Sequence, residues 1–210
     1  MAMKPDDLDF IANFSTLWQV VLGAVLATLG GFAATQAERV VLRRERERNA
    51  ALLFGELIAT IAIIVDLARD ARARGEPYGM VTMRLLRSAR RELDIYERNR
   101  ERLADLEQSV LRARVHHFMV GLSIALEGVF DTTRELGDLR LKAAAGEAHA
   151  DREAQLADLR DQGFEFMLET ARLVPDLLKS FEPIARHSFG ELGKVAGMAN
   201  RAQAENTRPA

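Results

Sequence analysis

The side chains best suited to metal binding or proton transfer near neutral pH are four histidines, His116, His117, His149 and His187. His116 and His117 are adjacent. On a helix they point about 100° apart, so they cannot share a metal as an i, i+4 pair does. A metal site inside a helical bundle calls for Glu-x-x-His on two helices, and that spacing occurs at none of the four. Each reads as a surface or partly buried histidine, with a pH-sensitive element at His116 or His117 as the alternative. Glu127 and Asp131 stand four residues apart, and paired acids on one helical face can do acid–base work. Pairing with a neighbour such as Arg134 is the commoner fate of such carboxylates. Ser88, Ser109, Ser123, Ser180 and Ser188 have no nucleophile elbow around them, and no Gly-x-Gly-x-x-Gly or Gly-Lys-Ser/Thr phosphate loop occurs. The chain has no cysteine, which excludes disulfides, thiol nucleophiles, Cys-type zinc sites and iron–sulfur clusters. The expectation is a protein that is not an enzyme, with no catalytic residue, no cofactor and no metal.

Composition points the same way. The chain has 210 residues, 48% hydrophobic and 29% charged, which fits one or two folded domains and excludes wholesale disorder. The net charge of −2 argues against a chain built to grip nucleic acid, because its arginines are matched by acids.

The hydrophobicity is unevenly placed. No charged side chain occurs from Phe10 to Ala37. The centre, Leu17 to Thr35, reads LWQVVLGAVLATLGGFAAT. As a helix these residues span roughly 28 Å, close to a ~30 Å hydrocarbon core. Apolar residues lie on all sides, and the polar Gln19, Thr28 and Thr35 carry groups that a helix or an interface can satisfy. Phe10, Phe14 and Trp18 recur every four residues at one end, as an aromatic anchor at the membrane–water boundary does. A secretory signal would want a basic start and a shorter apolar run; here Lys4 faces Asp6, Asp7 and Asp9. A buried core helix would show a polar face. The reading is therefore a transmembrane helix over 10–37, after a short extracytoplasmic segment 1–9.

The flanks orient it. Arg39, Arg43, Arg44, Arg46 and Arg48 follow the apolar run within one short stretch. Positive residues stay in the cytoplasm, which puts the N-terminus outside and the remainder inside. The same arginines suit anionic lipid headgroups, at about 1 kcal/mol each near the surface. Gly23, Ala27, Gly30, Gly31 and Ala34 place small residues on one face of the span, where a second copy can approach closely.

The elements that follow are helical. No proline falls between residues 6 and 76, so one helix is expected from about residue 10 to residue 74, stopped by Gly75 and Pro77. Ala50, Phe54, Leu57, Ile61, Ile64 and Ala68 fall at steps of three and four along it. Leu52 to Val65 is very apolar, but Glu56 and Asp66 leave too short a charge-free run for a second span; a core helix is the better reading. A second helix is expected over about 79–102. Its Arg84, Arg87, Arg91 and Arg98 form a basic side, read as a solvated face balanced by Glu92, Asp94 and Glu97, with a surface for anionic lipid or an acidic partner as the alternative. Asp105 with Gln108 matches a capping box and opens a third helix to about residue 142. Lys142 to Asp151 connects it to a fourth, which carries Leu156, Leu159, Phe164, Met167, Ala171 and Val174 and is kinked or restarted at Pro175. The largest core side chains are expected to be Phe118, Phe130, Phe164, Phe166 and Phe181. The tail from about Gly190 is small and polar. The predicted fold class is all-α: an N-terminal transmembrane helix continuing into a long helix of a cytoplasmic antiparallel bundle of about four helices over 38–189, then a flexible tail over 190–210.

Residues 18 to 60, WQVVLGAVLATLGGFAATQAERVVLRRERERNAALLFGELIA, resemble a broad set of bacterial single-pass membrane proteins. These carry a Gly/Ala-rich N-terminal span, an Arg/Glu-rich juxtamembrane helix and a helical cytoplasmic domain. DIYERNRERLADLEQSV, residues 94 to 110, looks like a Tyr-Asn-Arg-Leu-Leu helix–turn–helix element of such domains. The resemblance implies organisation and no ligand or catalytic residue. Arginine exceeds lysine 25 to 4, as in proteins of GC-rich bacterial genomes. Together these features predict an inner-membrane protein whose helical part binds another protein or itself. Its partners would be the lipid bilayer, a second copy through the span and an unknown protein. A sensor that relays a signal through the span is the alternative.

Overall fold

The structure, a computed structural model, describes the backbone of residues 5–144 and 150–190 and the side chains of residues 21–143 and 150–190. Among the described residues 91% are helical and none lies in a strand. The chain divides into two compact units, Met1–Arg46 and Glu47–Ala210.

Helix α1 runs over Pro5–Arg74, and the division at Arg46 falls within it. Good helix formers and the absence of an internal proline allow this length. Gly75 closes it, its N–H reaching Ala71 O at 3.2 Å, and Pro77 prevents its resumption. Helix α2, Met80–Arg98, starts behind Gly79, whose backbone is extended (φ −67°, ψ 178°). It stops at Asn99, whose side-chain amide turns back onto Ile95 O at 2.8 Å. A 3₁₀ turn, Arg100–Asp105, then leads to α3, Ser109–Ala144. The expected helix to Arg102 is thus cut at Arg98. Asp105 ends the turn rather than capping α3; the first helical carbonyl bond of α3 runs from Arg112 N to Gln108 O at 3.1 Å.

Helix α4, Ala150–Ala171, gives way at Arg172 and Leu173 to α5, Val174–Ala185. Pro175 sits in the first turn of α5, where its missing N–H goes unmissed. Of the two outcomes expected at Pro175, a kink or a restart, the helix takes the restart. Arg186 takes a left-handed backbone (φ 51°), its N–H bound to Glu182 O, and this cap turns the chain back toward α1.

In the second unit the helices share one core. Phe54, Ile58 and Ile61 of α1, Leu86 and Tyr96 of α2, Phe118, Leu122 and Leu126 of α3, Phe164 of α4 and Phe181 of α5 are all buried in it. Neighbouring helices α2 and α3, and α3 and α4, run in opposite directions: Arg90 meets Ser123 while Tyr96 meets His116, and Arg140 meets Glu153 while Gly121 lies beside Thr170. The apolar segment Leu52–Val65 lies in this core, with Glu56 and Asp66 turned to solvent. Phe118, Phe164 and Phe181 are core residues as anticipated, and Phe130 is half-buried against them. Phe166 is a correction. It is 45% exposed, two residues from the buried Phe164 and so about 200° around the helix. Leu159, placed in an apolar stripe by spacing, is also exposed. The tail beyond Gly190, the connection around Gly146 and His149 lie outside the described residues.

Candidate functional site

In the first unit every side chain from Val21 to Arg46 is exposed. Val21, Leu22, Val25, Leu26, Leu29 and Phe32 each leave between 44% and 64% of their surface free. These bulky residues occupy one side of the helix. Gly23, Ala27, Gly30, Gly31 and Ala34 gather on the other, within about 100° of arc, and a Cβ added at Gly23, Gly30 or Gly31 would meet open space. The two threonines of this stretch satisfy their hydroxyls internally: Thr28 Oγ1 donates to Ala24 O at 2.8 Å and Thr35 Oγ1 to Gly31 O at 2.9 Å. From Val21 to Thr35 these are the only polar side chains, so none there depends on water, which is what a hydrocarbon environment demands. Phe10, Phe14 and Trp18 lie in α1, but their side chains are outside the described residues. Arg39, Arg43, Arg44 and Arg46 are exposed at the end of this unit. Arg48 lies in the second unit, where its Nε donates to Ala185 O at 3.2 Å. The helix from Val21 to Arg74 is long and apolar enough to cross a membrane, and its most apolar stretch is half buried. Since nothing from Val21 to Arg46 is buried, that stretch belongs to the second unit.

Among the described residues of the second unit, three concavities bear on function. The first joins the end of α1 to α4. Arg72 binds Glu165 Oε1 at 2.8 Å and Asp161 Oδ1 at 2.9 Å. Tyr78 Oη donates to the same Asp161 oxygen at 2.5 Å. The Arg160 guanidinium lies 3.7 Å from the Tyr78 ring centre, and Arg72 stacks on Phe164 at 4.5 Å. Burial, and the hydrogen bond to Asp161, push the Tyr78 phenol well above its ordinary value of 10. The residues surround a cavity of about 510 Å³. Arg72 answers both carboxylates within it, and Arg69 pairs with Asp66 and Asp70 on its own helix, which makes the cluster a clasp between elements. Neither the Tyr78 partner nor the Arg72 forks could be found by spacing, because they join positions about 90 residues apart.

The second concavity is an arginine groove between α2 and α3, of about 540 Å³, lined by Met83, Arg87, Arg90, Arg91, Phe130, Thr133 and Arg134. Glu127 lies beside it. Arg90 Nη1 donates to Glu127 Oε1 at 2.7 Å, and with the Ser123 hydroxyl at 3.1 Å it holds the Glu127 carboxyl below its ordinary value. Asp131 pairs with Arg134 at 3.6 Å. The structure thus gives each of the two acids its own arginine rather than to a shared site. The third concavity, about 390 Å³, is an apolar cleft of Val110, Ala113, Arg114, His117, Leu173 and Leu177.

Of the histidines, His116 is half-buried and its Nδ1 lies 2.9 Å from Tyr96 Oη, while His117 is exposed and His187 lies edge-on to Phe189. Among the described residues no three metal-binding side chains converge.

One feature had a faint trace in the sequence. Gly55 sits in the middle of the apolar run of α1, and an ideal Cβ there would lie 2.2 Å from Phe189 Cζ. A glycine inside a helix costs about 1 kcal/mol against alanine, so it signals a packing need. The need is the ring of Phe189, 1% exposed. Glu182 Oε1 accepts from Ser188 Oγ at 3.2 Å and Phe189 N at 3.3 Å and so directs the ring onto α1.

Comparison with family models, with curated proteins and with solved structures finds no match.

Proposed function

We propose that the chain is a single-pass membrane protein of the bacterial inner membrane, held by the apolar part of α1 over about 10–37. The bulk of the chain lies in the cytoplasm as an antiparallel helical bundle, and that bundle serves as a binding surface for another protein or a second copy. One observation carries the reading. A stretch without charge to Ala37 is exposed around its whole circumference from Val21 onward and has its threonine hydroxyls satisfied internally. Burying each large apolar side chain is worth about 1.5–3 kcal/mol, and water is the one surrounding that withholds all of it. A bilayer supplies cover on every side, and a helix over 17–35 matches its thickness. Arg39, Arg43, Arg44 and Arg46 then stand at headgroup level and fix the cytoplasmic end. Phe10, Phe14 and Trp18 mark the outer interface. The face of Gly23, Ala27, Gly30, Gly31 and Ala34 admits a second span at short range.

Two measurements test this. Membranes containing the chain are washed with alkaline carbonate; retention in the pellet supports the anchor, and release into the supernatant removes it. Because the chain lacks cysteine, Ser109→Cys introduces one exposed thiol at the start of α3. In intact spheroplasts an impermeant maleimide should leave it unlabelled, and should label it after lysis. Labelling before lysis would invert the topology.

A further inference from the structure

The arginine groove between α2 and α3 contains more positive charge than its surroundings answer. Four guanidiniums line it, from Arg87, Arg90 and Arg91 on α2 and Arg134 on α3. Arg90 is engaged by Glu127 at 2.7 Å and Asp94 at 3.6 Å, and Arg134 by Asp131 at 3.6 Å. Arg87 and Arg91 are exposed and have no hydrogen bond or ion pair among the described residues. They stand four apart on one helix, where like charges repel by a few tenths of a kcal/mol. No carboxylate lines the groove, and Glu92 and Glu97, which by sequence would balance this side of α2, are not among its walls. Its other walls include the apolar Met83, 7% exposed, and Phe130, half-buried. An apolar lining lowers the local dielectric and strengthens any charge pairing above it.

We propose that this groove binds a phosphate group. Guanidinium forks match phosphate oxygens two at a time, and arginine gives up its hydration more readily than lysine. Two unanswered forks on neighbouring turns present four N–H donors, two from each, to one anion, and Met83 and Phe130 accept the organic body of a phosphate ester. A lipid headgroup and a soluble phosphate offer the same chemistry. The lipid source rests on the membrane reading above; the soluble source does not.

The test has two arms, both on the full chain. In dodecyl maltoside the protein is titrated with inorganic pyrophosphate, and hydrogen–deuterium exchange is read over α2 and over 123–137 of α3. In nanodiscs of phosphatidylcholine, with and without phosphatidylglycerol, the same peptides are read with no added anion. Protection by pyrophosphate identifies a soluble phosphate site; protection by phosphatidylglycerol alone identifies a headgroup site. Arg87→Gln/Arg91→Gln should weaken the protecting ligand at least about tenfold, the loss of one charge-assisted contact or more. Arg98→Gln, on the same helix and outside the groove, should leave it unchanged. Both substitutions alter exposed side chains, and unchanged circular dichroism checks that the helices persist. Absence of protection in both arms, equal protection in the double variant, or equal loss in Arg98→Gln would each overturn the site.

Discussion

Helix α1 contains two apolar stretches with opposite fates. From Val21 to Phe32 the large side chains are exposed, while from Ala50 to Val65 Phe54, Ile58 and Ile61 are fully buried. Composition alone does not separate them; the more apolar of the two is the one inside the protein. Charge placement does. Glu56 and Asp66 interrupt the second stretch on its wet side and leave a stripe for the core. The first stretch has no such interruption, and its small residues oppose its large ones instead of polar ones opposing apolar. A helix that packs one face on a core needs one dry side and one wet side; the first stretch has no wet side.

The sharpest way to break this contrast is to damage each stretch and ask what is lost. Phe54 is fully buried, with its ring edge-on to Tyr96 at 6.1 Å. Phe54→Ala should cost about 3–5 kcal/mol of stability, read as a lower urea midpoint by circular dichroism in detergent, with membrane retention unchanged. Leu26→Arg in the exposed stretch should do the reverse. A charge at the centre of a span costs about 2.5–3.5 kcal/mol of insertion, roughly a hundredfold in the membrane-to-soluble partition. The carbonate-washed pellet should lose the protein while the urea midpoint stays put. If Leu26→Arg unfolded the second unit instead, the two stretches would be parts of one core.

A finer test concerns how the buried stretch is closed. Gly55→Ala on an open helix would stabilise by up to about 1 kcal/mol. Here the added methyl collides with the Phe189 ring. It should cost about 1–3 kcal/mol by overpacking. In a Phe189→Ala background the collision partner is gone, and the same substitution should turn stabilising. The cycle is read from thermal melts of the four proteins, and additivity would show that Phe189 does not seat on α1.

The all-helical character and the long first helix were legible because periodicity and proline placement are local. The stops at Gly75, Pro77 and Pro175, and the core roles of Phe118, Phe164 and Phe181, follow from a pattern within a few residues. Spacing failed where two faces of one helix are both apolar. Phe164 is fully buried and Phe166 is 45% exposed, although both are large and apolar and stand two residues apart, and only packing against the other helices distinguishes them. The polar sites were less legible. The basic side of α2 is visible as Arg84, Arg87, Arg91 and Arg98, but the groove exists because Arg134 and Phe130 arrive from α3. Glu127 could not be assigned to Arg90, 37 positions away, from a sequence that offered Arg134 closer by.

The smallest effect concerns the polar end of the buried stretch, where Arg72 rather than an apolar side chain joins α1 to α4. Tyr78→Phe keeps the ring against Arg160 and Phe164 and deletes the donor to Asp161. Its loss should be about 1 kcal/mol at neutral pH. The pH dependence has a definite sign. The folded phenol ionises later than the unfolded one, whose value is about 10. Its stabilisation is complete below that unfolded value and is lost as pH rises from there through the folded value. Melting temperatures between about pH 8 and pH 11 should therefore fall more steeply in the wild type than in Tyr78→Phe. Tyr96, the second tyrosine, is also raised by burial and contributes a slope of the same sign to both proteins, so the difference between them belongs to Tyr78. Parallel curves would mean that Tyr78 is as open to solvent in the folded chain as in the unfolded one, and that α1 and α4 meet without the clasp.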